Sequence, residues 1–590
     1  MSILERWRAR SSLLMNRYHA RRAARSRAAT GFVSRPEPRT VGSFARGRQL
    51  AAGNLLFAGH LVQAPGHLPW DLDAPDAAFE EELHGFGWLD HFAAVSDPKA
   101  RRAAQDWVWG WNARYGRGTG PGWTPELAGC RILRLVHHAL FLLSGRTSEQ
   151  SAEFYAMLTA QAVFLSRRWK ASRPGLSRFE ALTGLLYAGL SLKGMEDQVA
   201  PALAALEREC GRQIDETGGL PTRNPEDLLA VFTLLTWAKT ALDEAGHTES
   251  PAIEAALGRV APTLRALRHS DGGLARFHGG GRGLDGQLDQ ALAASGVKRR
   301  RTDELAMGFA RMSAGRTSLV VDAAPPPTGE ASLNAHASTL AFEVTSGRRP
   351  LIVNCGSGAI FGEGWRKAGR ATPSHSTLSL DGYSSARLGP LGKIGAAARE
   401  HLVDAPTHVP TEFSRAPDGL SFQGGHDGYV STHGLTHART LEMTFDGRAV
   451  AGEDLLLAVE PSEKALFDRR MDAVSLSGLP YQIRFHLHPE VDAEIDLGGA
   501  AVSLGLRSGE IWVFRHNSSA DLALEPSVYL EKGRLRPRGS QQIVLSGRAM
   551  EYATRVRWSL AKAQDTAIAI RDLARDDDED DTTEPYQDQT

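Results

Sequence analysis

The hydrophobic period of this chain changes once, and that change limits the fold more than any motif does. From about Phe86 to Ala266, segments such as CRILRLVHHALFLLSG, EALTGLLYAGLSLKG and PEDLLAVFTLLTWAKTALDEAG repeat apolar residues at spacings of three and four, separated by Gly, Pro and Ser. Helices of similar length with short connections predict helical hairpins in succession, arranged as a bundle, a solenoid or an α/α toroid. A glycine-rich stretch, His269 to Gly286, and a basic run, Lys298 to Arg301, end that regime. Beyond them FARMSAGRTSLVVDAA, TLAFEVTSGRRPLIVNCG, STLSLDG, YQIRFHLHPEVDAEIDLG, EIWVFRHN and RVRWSLAKA alternate apolar and polar residues. A large antiparallel β domain of stacked sheets is expected there.

The chain therefore reads as α+β and multidomain: a basic segment over 1–44, a helical domain over 45–285, a linker over 286–305, a sandwich over 306–562 and an acidic, disordered tail over 563–590. At 590 residues, 42% of them hydrophobic, it is too long for one core and too apolar to be disordered throughout. A formal net charge of -1 supplies no global basic field, which disfavours a nucleic-acid binder. Cys130, Cys210 and Cys355 are far apart and odd in number, which excludes a disulfide framework and a CxxC zinc motif. No apolar run has the length of a membrane span. The arginine-rich amino terminus carries a narrow apolar stripe from Ile3, Leu4, Trp7, Leu13, Leu14 and Met15 and lacks the continuous apolar core of a cleavable signal. A solvated or partner-docking helix is expected, with peripheral contact to an anionic membrane surface as the alternative. The oligomeric state is left open.

Histidines gather at strand starts and loops: His336, His375, His426, His437, His486 and His488. Strand alternation places His486 and His488 on one face, opposite Ile483, Phe485 and Leu487. Each histidine alone is more often structural, and a zinc or calcium site needs three or more ligands converging in space. Arg370 sits in GWRKAGRATPSHST, a stretch suited to binding. In the helical half Trp111, Tyr115, Trp123 and Arg131 lie close in sequence, as a platform for sugar rings and carboxylates or as gap-filling between helix ends. Asn224 before Pro225, Glu226 and Asp227 has the signature of an N-cap, which leaves Arg223 to reach a ligand. HGGGRG lacks the GK[ST] ending and the preceding strand of a phosphate loop.

The order of these parts, with NAHASTLAFEV, RPLIVNCGSG, SHSTLSLDG, HDGY and FHLHP in the β half and the looser GWTPELAGCR and GLPTRNP in the helical half, resembles the heparinase II/III-like proteins over roughly residues 45 to 560. The resemblance implies an incomplete N-terminal α/α toroid, a C-terminal antiparallel β-sandwich and a cleft for acidic polysaccharides between them. It also implies β-elimination at a uronic acid, in which the carboxylate is neutralised, a base takes the adjacent proton and an acid protonates the departing oxygen. Lyases of this family carry His-x-His where this chain has Asn334-Ala335-His336, so Asn334 stands at the catalytic position and His336 at the metal-binding one. Asn354 and His375 match the remaining ligands, a set of two imidazoles and an amide that holds a divalent cation more weakly than one with a carboxylate. The family's Asn-His pair corresponds to Phe179-Glu180, and no tyrosine lies between Tyr187 and Tyr383. Glu180, Tyr383 and His278 are then the alternative proton carriers.

The leading expectation is a lyase acting on an acidic, uronic-acid-containing glycan, with Asn334, His336, Tyr383 and Glu180 catalytic and Arg131, Trp123, Arg223, Asn224 and Arg370 binding substrate. No cofactor is required, and a zinc or calcium ion at His336, Asn354 and His375 is the possible exception. Two alternatives stand beside it: a non-catalytic glycan-binding or envelope-polymer assembly protein, and a toroid-type hydrolase using Glu180 and Asp227. The family points to the periplasm or envelope, the lack of an exporting signal to the cytoplasm.

Overall fold

A computed structural model describes residues 3–34, 37–298, 305–394, 397–517 and 519–563. The acidic tail and most of the basic run lie outside the described residues. Helix starts follow one chemical rule. Asp97, Thr124, Asn224 and Ser250 each accept a backbone N–H of the first turn with their side chain, and each is followed by proline. The cap satisfies an orphan donor, and proline occupies a position where no amide hydrogen is needed.

The helix Leu176–Ser191 is buried on nearly every side, and it packs against Pro125–His137, Ser148–Arg168, Val199–Gln213 and Pro225–Glu244. Gly129 and Gly184 allow its closest approach, since a Cβ on Gly184 would lie 2.5 Å from the Gly129 Cα. The first helix, Ile3–Ala23, lies against Ser148–Arg168, where the Arg168 guanidinium donates to Asn16 Oδ1 at 2.7 Å. Residues 287–295, within the expected linker, form a further helix, Gln287–Ser295, because Leu288, Ala291 and Leu292 bury an apolar stripe.

Beside two small two-stranded sheets, the described residues of the β half form two large antiparallel ones. One runs, in spatial order, Asp521–Tyr529, Arg538–Ala549, Leu479–Leu487, Arg349–Val353, Phe342–Ser346, Thr317–Asp322 and Phe309–Ala314, with Leu378–Leu380 also paired to Leu479–Leu487. The other runs Thr411–Ala416, Gly419–Tyr429, Leu435–Thr444, Ala449–Leu457, Ala553–Lys562, Ile511–His516, Ala501–Gly505 and Asp492–Asp496. Between them Trp558 stacks on Phe342 with ring centroids 5.6 Å apart. Phe485 and Leu487 enter this core while His486 and His488 face away from it, as alternation requires. They share a face but not a site: His486 lies against Ser527 and the Pro373 carbonyl, and His488 packs on the Tyr529 ring.

Candidate functional site

The two domains meet along a buried seam of charged and imidazole groups. Arg223, just before the capped helix Pro225–Glu244, crosses to the β half. It donates to the carbonyls of Met307 (3.0 Å), Gly308 (2.7 Å), Ala324 (3.1 Å) and Pro325 (2.9 Å) and to Asp322 Oδ1 (2.6 Å). Asp322 ends the strand Thr317–Asp322, is fully enclosed, and takes Ser338 Oγ at 2.6 Å on its other oxygen. Burial pushes that carboxyl up, but Arg223 and His278 outweigh it and hold it well below the usual carboxylate range.

Tautomers in the seam follow from the partners. His278 Nδ1 accepts the His336 backbone N–H at 3.2 Å, so its proton sits on Nε2, 3.3 Å from Asp322. His375 Nδ1 lies 2.9 Å from the Ala371 carbonyl and must donate to it, leaving Nε2 as acceptor for His336 Nδ1–H at 3.0 Å. Burial drives His336 far below the ordinary imidazole value and His375 down to about 4, so both rings are neutral.

The structure thus brings His336 and His375 together and leaves Asn334 as the exposed member of its motif, its Oδ1 accepting from Arg399 at 3.1 Å. Asn354 is committed elsewhere. Its Oδ1 accepts the Ser376 N–H at 2.9 Å, and its Nδ2 donates to Glu343 Oε1 at 3.3 Å. Among the described residues no three His, Cys, Asp or Glu side chains are placed to hold a metal ion. The donors present do not fit the divalent cation that the resemblance implies.

Several expected ligand contacts are enclosed instead. Arg131 is 0% exposed, donates to Gln161 Oε1 and the His84 carbonyl, and lies 4.4 Å from the Trp111 ring centroid. The aromatic–guanidinium platform therefore forms, but inside the helical core, with Trp123 sealed beside it by a bond to the Tyr115 carbonyl. Arg223 and Arg370 spend their guanidinium groups on backbone carbonyls, Arg370 on those of Ser332, Ala335 and Glu400. Asn224 is the helix cap. Tyr383 packs edge-on against His433 at 4.6 Å, and no contact joins it to His336 among the described residues. The three arginines share one physical reason: loops and helix ends leave carbonyls without donors, and a nearby guanidinium is drawn in to satisfy them.

A cleft of about 580 Å³ opens between the domains. Arg46, Glu82, Leu176, Glu226 and Asp227 line its helical side, Gly280 to Arg282 its floor, and Ile360, Tyr529 and Lys532 its β side. Lys532 reaches Glu226 across it. Burial raises Asp227 to about 6, with Lys532 opposing and Glu226 adding. One helical turn beyond Leu176, burial raises Glu180 to about 7 despite Arg134 and Cys130. Spacing alone assigns no cleft role to Arg46, Glu82 or Lys532 and explains Glu226 as a first-turn acid; Glu180 and Asp227 are the cleft-side carboxyls that the sequence marks as candidates. A second hollow, of about 670 Å³, lies on the outer face of the other sheet, where Arg557 pairs with Glu453, and contains none of these groups.

A family model for the heparinase II/III-like C-terminal domain matches residues 297–559. FtsZ-localized protein C of Caulobacter vibrioides is 32% identical over 549 residues, covering 90% of this chain and 91% of that protein. The crystal structure of heparinase III matches with a TM-score of 0.66 at 13% identity, over 92% of this chain and 88% of that one. Heparan sulfate lyase HepC from Pedobacter heparinus matches with a TM-score of 0.52 at 15% identity, over 93% and 88%. At these identities the two lyases establish the fold alone: a helical toroid followed by a β-sandwich.

Proposed function

The chain belongs to the heparinase II/III-like family, and from that premise we propose that it keeps the family's cleft as a binding site without carrying out uronate β-elimination. We place it at FtsZ, on the name of its Caulobacter relative, FtsZ-localized protein C. The observation that carries this reading is the state of the family's histidine motif. Asn334, the member of the motif open to solvent, is an amide and cannot accept a proton at neutral pH, while His336 and His375 are 1% and 0% exposed and bonded to each other. Among the described residues lining the cleft there is no histidine, and its one tyrosine, Tyr529, is buried beneath the Arg276 guanidinium.

The first helix supports a docking role. It buries Asn16, Ala20 and Ala23 and presents Leu13, Leu14, Met15 and Tyr18 to solvent, with Arg10, Arg17, Arg21 and Arg22 exposed around them. Apolar side chains ringed by guanidinium groups suit the interface of an anionic bilayer, where each basic residue contributes about 1 kcal/mol. The test has two arms. Uronic-acid polymers should yield no unsaturated product, and the protein should sediment with FtsZ polymers and with phosphatidylglycerol vesicles, the vesicle binding falling in Leu14→Asp. Formation of an unsaturated uronate, or no sedimentation with FtsZ, overturns the reading.

A second reading rests on Glu180 and Asp227, raised to about 7 and about 6. Carboxyls that titrate near neutrality suit acid–base work, and hydrolysis would release reducing ends without a double bond. Such products from wild type but not from Asp227→Asn would favour it.

A further inference from the structure

The family's metal position raises a question that the missing carboxylate alone does not answer: why residue 354 is an amide. Its neighbour supplies the reason. Glu343, on the strand Phe342–Ser346, is 3% exposed and directs Oε1 at Asn354 Nδ2, 3.3 Å away. Its other oxygen accepts the Arg276 N–H at 3.0 Å and lies 3.4 Å from His269 Nε2. A carboxylate at 354 would put two like charges side by side in a site closed to water, whereas an amide donates to the one and, through Oδ1, accepts from Ser376 beside His375.

Two imidazoles sharing one cation need lone pairs on both facing nitrogens. Here the Ala371 carbonyl holds His375 with its Nε2 lone pair toward His336, and His336 Nδ1–H donates to it at 3.0 Å, so a cation would have to displace that bond with no carboxylate at position 354 to draw it in.

We propose that in this chain the hydrogen bond from His336 to His375 takes the place of the metal ion, and that Glu343 enforces the replacement by requiring an amide at position 354. The site is thus a metal-independent brace that ties the loop before Phe342 to the loop before Leu378, and it stands whether or not the cleft binds glycan or the protein meets FtsZ.

The experiment uses the full chain. After dialysis against Zn²⁺ or Ca²⁺ and removal of free ions, wild type should carry far less than one metal per chain by plasma mass spectrometry, and its melting should be the same with and without EDTA. Stoichiometric metal that disappears in His375→Gln overturns the proposal. The exchange Glu343→Gln with Asn354→Asp keeps one acid and one amide but reverses them. It should bind Zn²⁺ roughly tenfold or more tightly than wild type, the scale on which groups around a metal tune its affinity. A folded exchange variant without that gain overturns the role given to Glu343. Asn354→Asp alone tests the same role should the exchange fail to fold: a melting temperature equal to that of wild type at neutral pH overturns it, and a clear drop supports it.

Discussion

Replacing Arg223 with alanine tests how the two domains are held in register. The guanidinium supplies donors to four carbonyls and to Asp322, and lies 4.6 Å from the Phe309 ring centroid. Alanine removes these and leaves Asp322, fully enclosed, without a guanidinium, its remaining side-chain partners among the described residues being Ser338 and His278. Removing one partner of a buried pair costs about 3–5 kcal/mol, because the remaining charge is neither solvated nor matched. Urea unfolding, followed by far-ultraviolet circular dichroism and tryptophan fluorescence, should show the transition at lower denaturant by that amount. Adding Asp322→Asn should recover a large part of the loss, since the orphaned charge is then gone. The pH dependence has a definite sign. A carboxyl held below its unfolded value stabilises the native state above that value, about 3.9, and the contribution is lost as pH falls through the folded value. The gap between wild type and Arg223→Ala should therefore be widest near neutrality and narrow below about pH 4. A cost under about 1 kcal/mol, or no recovery in the double variant, would refute the assignment of Arg223 as the clamp of the seam.

Two further outcomes concern the interior of each domain. Glu180 titrates near 7 in the folded chain against 4.5 for a free carboxyl, so the native state holds a proton that the unfolded state lacks across that window, and stability falls as pH rises through it. Glu180→Gln should flatten the melting profile between pH 5 and 8 relative to wild type, and parallel profiles would count against a buried, raised carboxyl. In the sandwich, a Cβ on Gly452 would sit 2.1 Å from the Trp558 ring, which is pinned by its bond to Asp454 and its stack on Phe342. Gly452→Ala should cost about 1–3 kcal/mol in thermal or urea unfolding, and a neutral effect would mean that the ring can move.

Much of this architecture was open to a reader of the residues. Helical and twofold periods are local properties of a chain, so the division into a helical and a β half and the shared face of His486 and His488, opposite Phe485 and Leu487, follow from spacing. Caps are equally local, which is why Asn224 was legible as the start of its helix. The pairing of His336 with His375 came from a family motif, since residues thirty-nine apart in sequence have no local reason to meet.

Burial and partner choice are a different matter, because they depend on what the fold lays over a side chain. Arg131, Arg223 and Arg370 have the composition of ligand contacts and the surroundings of core braces, each enclosed by carbonyls or rings contributed from distant segments. Glu343 and Asp322 lie in quoted strand segments that gave neither a role, yet one dictates an amide at Asn354 and the other joins the domains. The sequence by itself determined the two halves, their elements and the family to which they belong, since periodicity and capping act within a few residues. Only the tertiary structure decided which charges are paired, which histidines are bonded to each other and which carboxyls titrate near neutrality. Those properties are set by desolvation and by neighbours a few ångströms away that the chain brings in from tens to hundreds of residues apart.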